Sequence, residues 1–560
     1  MSPPDSGEPA GDPTLADCLR LLDEVPAAAS SSPAFRRHWP SISASLATLS
    51  TALSSPTFPP AAPAILPPLA AALDALLSVA AGGRLGHLHT VSLLSSSAAA
   101  LAQLAADARV LAAPPPATAS AAAAGGQDGI DGVVARLRVG SAASRAAALE
   151  DLAAAVGAAT LPPPSSAAAA VSAVAALLDS GDLLPSSRDL AVSALAAFAS
   201  SDFLTHESAS ASLVPHLCRA LESSAGPTAE HACVTLLPLT SASRDASAAV
   251  ATRGGVGALL AFCASGTPAA QAAAAGVLRN LAAFPDLLPH FRDEPAAVPL
   301  LLQLVALGTP TAQATALACL RNLTAGGDSD DAQRLRVDAF QEGALACVKD
   351  FLEYDKDDGP GRAAALGLLR NLAAFRYVAE AAASSGFVGL VASALLTTTR
   401  PATRAAAALA LAELCGAVGP SSKWRKEVPP DGPVVPRLVS MMETKPVSER
   451  DAAARALAAL LLAGATSSSS SGGGYRKAFR KEERGVVNAV QMLDPAVGVE
   501  KRFPVAVLLA VAQSRRCRKQ MVAAGACGFL QGLVDGEVEG AKKLAECLGK
   551  GKMLGVFPRT

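Results

Sequence analysis

The chain has 560 residues, a formal net charge of −1, 51% hydrophobic residues and only 4% aromatic ones. That length exceeds what one compact core fills, so the sequence calls for several domains or for a repeat architecture. Apolar surface made mostly of Ala, Leu and Val suits helix-on-helix packing and argues against a sandwich or barrel, and a charge near zero excludes nucleic-acid binding driven by bulk electrostatics.

Residues 1–14 are Pro/Gly/Asp-rich and read as a disordered N-terminus. Met1 to Asp5 has neither a basic nor an apolar leader region, and Ser2 stands where myristoylation requires glycine. Helical spacing follows at Leu15, Cys18, Leu19 and Leu22, then at Ile42, Leu46, Leu49 and Leu53. It continues at Leu66, Leu69, Leu73, Leu76 and Leu77, and at Leu101, Leu104 and Leu111. These predict an N-terminal helical bundle over 15–113, punctuated by Gly82-Gly83 and by prolines, and followed by a Pro/Ala/Gly linker at 114–128.

The middle third repeats itself. Leu278-Arg279-Asn280-Leu281, Leu320-Arg321-Asn322-Leu323 and Leu369-Arg370-Asn371-Leu372 share one pattern, and 12 of the 18 residues in 266–283 and 308–325 are identical at a spacing of 42. A period near 42 in Ala/Leu-rich helical sequence predicts a stacked helical solenoid of the HEAT or armadillo kind. Apolar brackets in the same phase surround Asp151, Ala197, Pro238, Glu413, Ala459 and Ala510, giving about nine repeats over 129–549. Gly266-Thr267-Pro268 and Gly308-Thr309-Pro310 place Thr as N-cap and Pro at the first position of a long third helix, which favours armadillo over a two-helix HEAT unit. Gly226-Pro227, Gly359-Pro360 and Thr399-Arg400-Pro401 are variants.

Departures from the period predict loops: Gly326 to Asp331, Asp355 to Gly359, Lys423 to Lys426, and a flexible Ser/Gly tract at 466–474. Basic residues follow the last, Arg476, Lys477, Arg480, Lys481 and Arg484, and 550–560 forms a basic tail. Residues 475–560 hold 16 Lys/Arg against 8 Asp/Glu, whereas 1–120 hold 5 against 8. That basic end is either a solvated outer face or a contact for acidic partner segments, anionic lipid or nucleic acid.

Chemistry-bearing patterns are lacking. The 10 cysteines are scattered without a CxxC pair or zinc-ligand spacing and read as reduced core thiols. Asp355-Lys356-Asp357-Asp358-Gly359 departs from a calcium loop, with Pro360 where glycine is needed and Leu366 where a bidentate Glu is needed. His87 and His89 have no third ligand, and neither a phosphate-binding glycine loop nor a nucleophile elbow is present. No metal, cofactor or enzymatic activity is expected, and no 20-residue apolar run predicts a membrane span.

The repeats resemble armadillo repeats. The stretch Leu493-Asp494-Pro495, Phe503-Pro504-Val505-Ala506, Cys517-Arg518-Lys519, Ala524-Gly525-Ala526 and Glu539 to Leu544 resembles the closing repeat of plant armadillo-repeat proteins that lack a U-box. The N-terminal bundle, with Gly83-Arg84-Leu85, is similar to the helical domain preceding the U-box in related ubiquitin ligases. The chain has only the linker where those ligases carry the U-box, so ligase activity is not implied. The resemblance implies an all-α protein, a right-handed armadillo-type superhelix behind a helical bundle, acting as a monomeric scaffold for protein partners in the cytoplasm or nucleus.

On a helical wheel Leu278, Leu281 and Ala274 share one side, Arg279 points away and Asn280 lies on the flank, so neither polar residue belongs to the core stripe. The resemblance implies that Asn280, Asn322 and Asn371 pair with the backbone of a peptide in a concave groove. The alternative is that they bond a neighbouring helix and stabilise stacking. Arg279, Arg321 and Arg370 are candidates for recognising acidic ligands or for inter-repeat ion pairs. With stacked helices about 8–10 Å apart, a ladder of three spans about 20 Å, room for roughly six extended residues. Importin-type cargo grooves carry Trp four residues before each Asn; here those positions are Gly276, Ala318 and Gly367. The leading expectation is an adaptor binding extended or helical segments of other proteins. The alternatives are a non-catalytic accessory to a ubiquitin ligase and a peripheral membrane adaptor.

Overall fold

A computed structural model describes residues 14–30, 32, 35, 38–56, 58–59, 62, 65–81, 87–112, 130–157, 164–179, 185–198, 207–223, 226–327, 329–354, 358–418, 424–463 and 473–553. Among them the regular elements are all helical. The protein divides into two compact units, 1–246 and 247–560.

In the first unit, helices Leu15–Ser30, Trp39–Leu53, Leu66–Ala80 and His87–Ala112 bury Cys18, Val25, Ile42, Leu49, Leu69, Leu73 and Leu101 in one core. The last of these helices packs directly on Ile130–Val139, and Val139 leans on the same core. From residue 130 the described helices come in pairs, Ile130–Val139 with Ala142–Gly157, Pro164–Asp179 with Pro185–Ala197, and Glu207–Ser223 with Pro227–Ala242. Each member packs on its counterpart in the next pair. Three of these helices open on proline, whose fixed φ suits the first helical turn.

Helices in the second unit come in triplets, shown by Asp330–Gln341, Ala344–Tyr354 and Pro360–Ala373, then Arg376–Ser384, Phe387–Thr397 and Pro401–Val418. The turn from first to second helix recurs with a left-handed glycine at Gly254, Gly343, Gly386 and Gly525, all between φ 75 and 86. A Cβ there would be strained by the backbone alone, whatever the space around it. Thr267 and Thr309 cap the third helices as expected, accepting from the backbone N–H of Ala270 and Ala312.

The third helices carry the packing. Pro268–Leu281, Pro310–Leu323, Pro360–Ala373, Pro401–Val418, Val447–Ala463 and Arg502–Val511 each pack on the next. Their apolar brackets, Leu278/Leu281, Leu320/Leu323, Leu369/Leu372 and Leu411/Leu414, are fully buried, at about 1.5–3 kcal/mol for each leucine. By length and composition the 401–418 helix could cross a bilayer, but it packs between two neighbouring third helices and its Arg404 pairs with Glu449.

Several sequence expectations change. Asp330 and Asp331 open a helix rather than continuing a loop, and Asp331 pairs with Arg292 at 2.7 Å. Trp424 begins a short helix, Trp424–Glu427, is buried and stacks on Tyr475. The wheel placed Asn280 outside the core, yet it is 9% exposed, because its helix packs on both Gly255–Ser265 and Pro310–Leu323 and is covered on a flank as well as on its apolar side. Not all cysteines are core residues: Cys527 is exposed, and Cys347 and Cys547 are half-buried. The final helix Ala541–Met553 takes in the first residues of the expected tail. The expectations for 1–13, Gly82 to Leu85, the linker 114–128, Asp355 to Asp357, 466–472 and 554–560 lie outside the described residues, as do the side chains of His87 and His89.

Candidate partner-binding site

The Leu-Arg-Asn-Leu block occupies the last turn of its helix, where the final four carbonyls lack intrahelical donors. In Pro268–Leu281 the N–H of Ala283 bonds Asn280 O instead of Arg279 O, so the Arg279 carbonyl is left over. Asn322 Nδ2 of the next third helix donates to it at 3.1 Å. One repeat on, Ala325 N bonds Asn322 O, and Asn371 Nδ2 donates to the left-over Arg321 carbonyl at 2.9 Å and to Thr324 Oγ1 at 3.1 Å. Each of these two asparagines therefore caps the C-terminus of the preceding third helix, the stacking alternative raised by the sequence.

The arginines attach to the same network by their other ends. Arg279 donates from Nε and Nη2 to Asn280 Oδ1 at 3.3 and 2.9 Å, and Arg321 does the same to Asn322 Oδ1 at 3.3 and 3.0 Å. A guanidinium has five N–H donors, so each keeps several for other acceptors. The stem of Arg321 lies over Gly367 of the next helix, where a Cβ would come 2.6 Å from Cδ. The small residue four before Asn371 thus makes room for an arginine where importin-type grooves carry Trp.

Arg279, Arg321 and Arg370 are half-buried and, among the described residues, none has an acidic side chain within ion-pair reach. Burial, and after it the neighbouring Arg279 charge, push the Arg321 guanidinium below its ordinary pKa. Two like charges are thus held close on consecutive helices, with no carboxylate partner among the described residues.

The basic cluster behaves differently. Helix Gly474–Lys481 buries Tyr475, Ala478 and Phe479 and exposes Lys477, Arg480 and Lys481. Arg476 donates to Leu461 O, Arg480 to Arg476 O, Lys481 pairs with Asp431 at 3.4 Å and Arg484 with Glu443 at 3.2 Å. Two of the five charges are thus paired with carboxylates, and two others are held by backbone carbonyls.

Further inter-repeat devices escaped the sequence. Asp358 accepts from the hydroxyl of Thr398, from Thr399 N and Oγ1 at 2.7 and 3.0 Å, and from Arg400 N at 2.9 Å, so it caps the 401–418 helix from the repeat before it. Burial opposes its ionised form, but these hydrogen bonds outweigh it and hold the carboxyl well below the ordinary range. Arg336 is buried, donates to the carbonyls of Thr324, Gly326 and Gly327 and lies over Phe375. A signal for Asp358 existed in its place one residue before Gly359-Pro360; Arg336 stands in an unremarkable polar helix face and gave none.

No protein-family model and no curated protein matches the sequence. Among solved structures, an engineered protein is 23% identical, with a TM-score of 0.59 over 75% of this protein and 98% of its own length. Two further engineered proteins, 21% and 20% identical over 44% and 51% of this protein, have TM-scores of 0.38 and 0.34. The first likeness supports a helical-repeat fold and carries no function.

Proposed function

We propose that this protein is a non-catalytic interaction scaffold, an armadillo-type right-handed superhelix behind an N-terminal bundle, whose arginine row receives an acidic segment of a partner protein. The observation that carries the reading is the row itself: Arg279, Arg321 and Arg370 sit at one position of three consecutive third helices, without a carboxylate partner among the described residues. An extended partner rising about 3.3 Å per residue would meet one arginine at about every third residue. The guanidinium fork favours carboxylates bound two-point, and partial burial lessens, without removing, the screening of the pair by salt. In this reading Asn322 and Asn371 hold the register of the stack, and Asn280 and Asn322 orient Arg279 and Arg321 through Oδ1. No nucleic acid, metal or cofactor enters the reading, and residence in the cytoplasm or nucleus accords with it.

The test is fluorescence anisotropy of a fluorescein-labelled Glu/Leu peptide with the full-length protein, beside the equivalent Lys/Leu peptide. The acidic peptide should bind and weaken as salt rises, and the combined Arg279→Gln, Arg321→Gln, Arg370→Gln variant should lose about tenfold or more in affinity, about 1.4 kcal/mol. Equal binding by wild type and variant would refute it.

A further inference from the structure

A second site lies in the same unit, away from the arginine row. A cavity of about 280 Å³ is lined by Met442, Arg450, Asn488, Gln491, Met492, Asp494, Val497, Ala524 and Phe529. Met442 and Met492 hold the same place in consecutive triplets, the residue just after the second helices Val434–Met441 and Gly485–Gln491. With Val497, Ala524 and Phe529 they form the smaller, apolar side of a cavity whose surface is otherwise polar, Met442 and Met492 themselves being largely buried. Methionine is unbranched and polarisable, so such a side adapts to aliphatic or aromatic groups.

Its polar groups are mostly spoken for. Asn488 Nδ2 donates to Glu443 Oε1 at 2.9 Å, and Asp494 Oδ1 accepts from Ala496 N at 2.9 Å. Nearby Lys501 donates to the carbonyls of Met492, Asp494 and Val497 and is consumed in holding that turn. Apart from Gln491, exposed on the rim, Arg450 is the exception. Its Nε is buried without a hydrogen-bond partner, its Nη2 reaches Lys445 O only at 3.5 Å, and among the described residues no carboxylate lies within ion-pair distance of it. A desolvated guanidinium N–H with no acceptor is costly, and a cavity beside it provides room for one.

We propose that this cavity binds a peptide carboxylate joined to an apolar side chain. The apolar group lies against Met442, Met492 and Phe529, and the carboxylate, either an Asp/Glu side chain or the free carboxyl terminus of a peptide, takes the open donors of Arg450. The volume lies just below the roughly 300–1,000 Å³ of drug-sized sites, which suits one large side chain with its neighbour rather than a whole cofactor. Arginine, with its rigid fork, fits a carboxylate better than a lysine would.

The test uses the full-length protein labelled with methyl-¹³C methionine and three probes: N-acetyl-phenylalanine, N-acetyl-aspartyl-phenylalaninamide and the uncharged N-acetyl-phenylalaninamide. The Met442 and Met492 methyl signals should shift with the carboxylate probes at concentrations about tenfold below those needed for the uncharged one. Whichever carboxylate probe saturates first identifies the terminal or the side-chain source. Arg450→Gln should remove the preference for charge while leaving the weak apolar contact. Because that variant alters a half-buried residue, Gln491→Glu, at an exposed position on the rim, supplies a competing carboxylate and should also abolish the preference. No shift at either methionine, equal saturation by charged and uncharged probes, or an undiminished preference in Gln491→Glu would each overturn the proposal.

Discussion

Replacing Asn322 by Ala removes the Nδ2 donor from the Arg279 carbonyl, which has no other donor from its own helix. Replacing Asn371 removes the equivalent donor from the Arg321 carbonyl, but there the Thr324 hydroxyl lies within donating distance at 3.1 Å, its one proton shared between that carbonyl and Leu320 O at 2.8 Å, which Thr324 N also serves. The first change leaves a last-turn carbonyl unsatisfied, at about 1–3 kcal/mol, and regains about 0.5–0.7 kcal/mol of helix propensity, a net loss of about 0.3–2.5 kcal/mol. The second forfeits bonds worth about 0.5–1.5 kcal/mol with the carbonyl still served, a net loss of about 0–1 kcal/mol. Urea unfolding followed by circular dichroism measures both, and hydrogen exchange of the amides around 278–284 locates the first. Asn322→Ala should be the costlier change and should raise exchange at that helix end. If Asn371→Ala costs as much or more, or neither change is felt, the cross-repeat capping account fails.

Three further outcomes follow from the same geometry. The Asp358 carboxyl titrates lower in the folded than in the unfolded protein, so its contribution is full above the unfolded value near 3.9 and is lost as pH falls below it; Asp358→Asn should flatten the acid limb of stability below about pH 4, and an unchanged limb would contradict the cap. Glu449 is fully buried against Arg404; Arg404→Met should cost about 3–5 kcal/mol by stranding that charge, and Arg404→Met with Glu449→Met should recover most of it. Gly367→Ala must displace the Arg321 stem; it should leave stability within about 1 kcal/mol, the loss at the stem being offset by better helix propensity, yet weaken acidic-peptide binding.

The repeat and its caps were legible because they are local. Thr267-Pro268 and Thr309-Pro310 state a helix start within two residues, and Leu278 and Leu281 state a core face within one turn. The site was half legible. Residue type marked Arg279, Arg321 and Arg370, but what Asn322 and Asn371 bond depends on which carbonyl the neighbouring repeat leaves over, 43 and 50 residues away in sequence. Asp358 likewise reaches Arg400 N across 42 residues, so its acidic segment looked like a loop insertion. The burial of Asn280 was hidden for another reason: a wheel shows one face of a helix, and this helix is covered on a flank too.

Arginine and asparagine stand side by side in the block, yet the account assigns recognition to one and register to the other. Measuring acidic-peptide affinity and urea stability on Arg321→Gln and Asn322→Ala, in one buffer, separates the two roles. Arg321→Gln should lower affinity by about three- to tenfold while changing stability by less than about 1 kcal/mol, and Asn322→Ala should show the larger loss of stability with the smaller loss of affinity. Parallel changes in both quantities for both variants, or an affinity indifferent to Arg321, would contradict it.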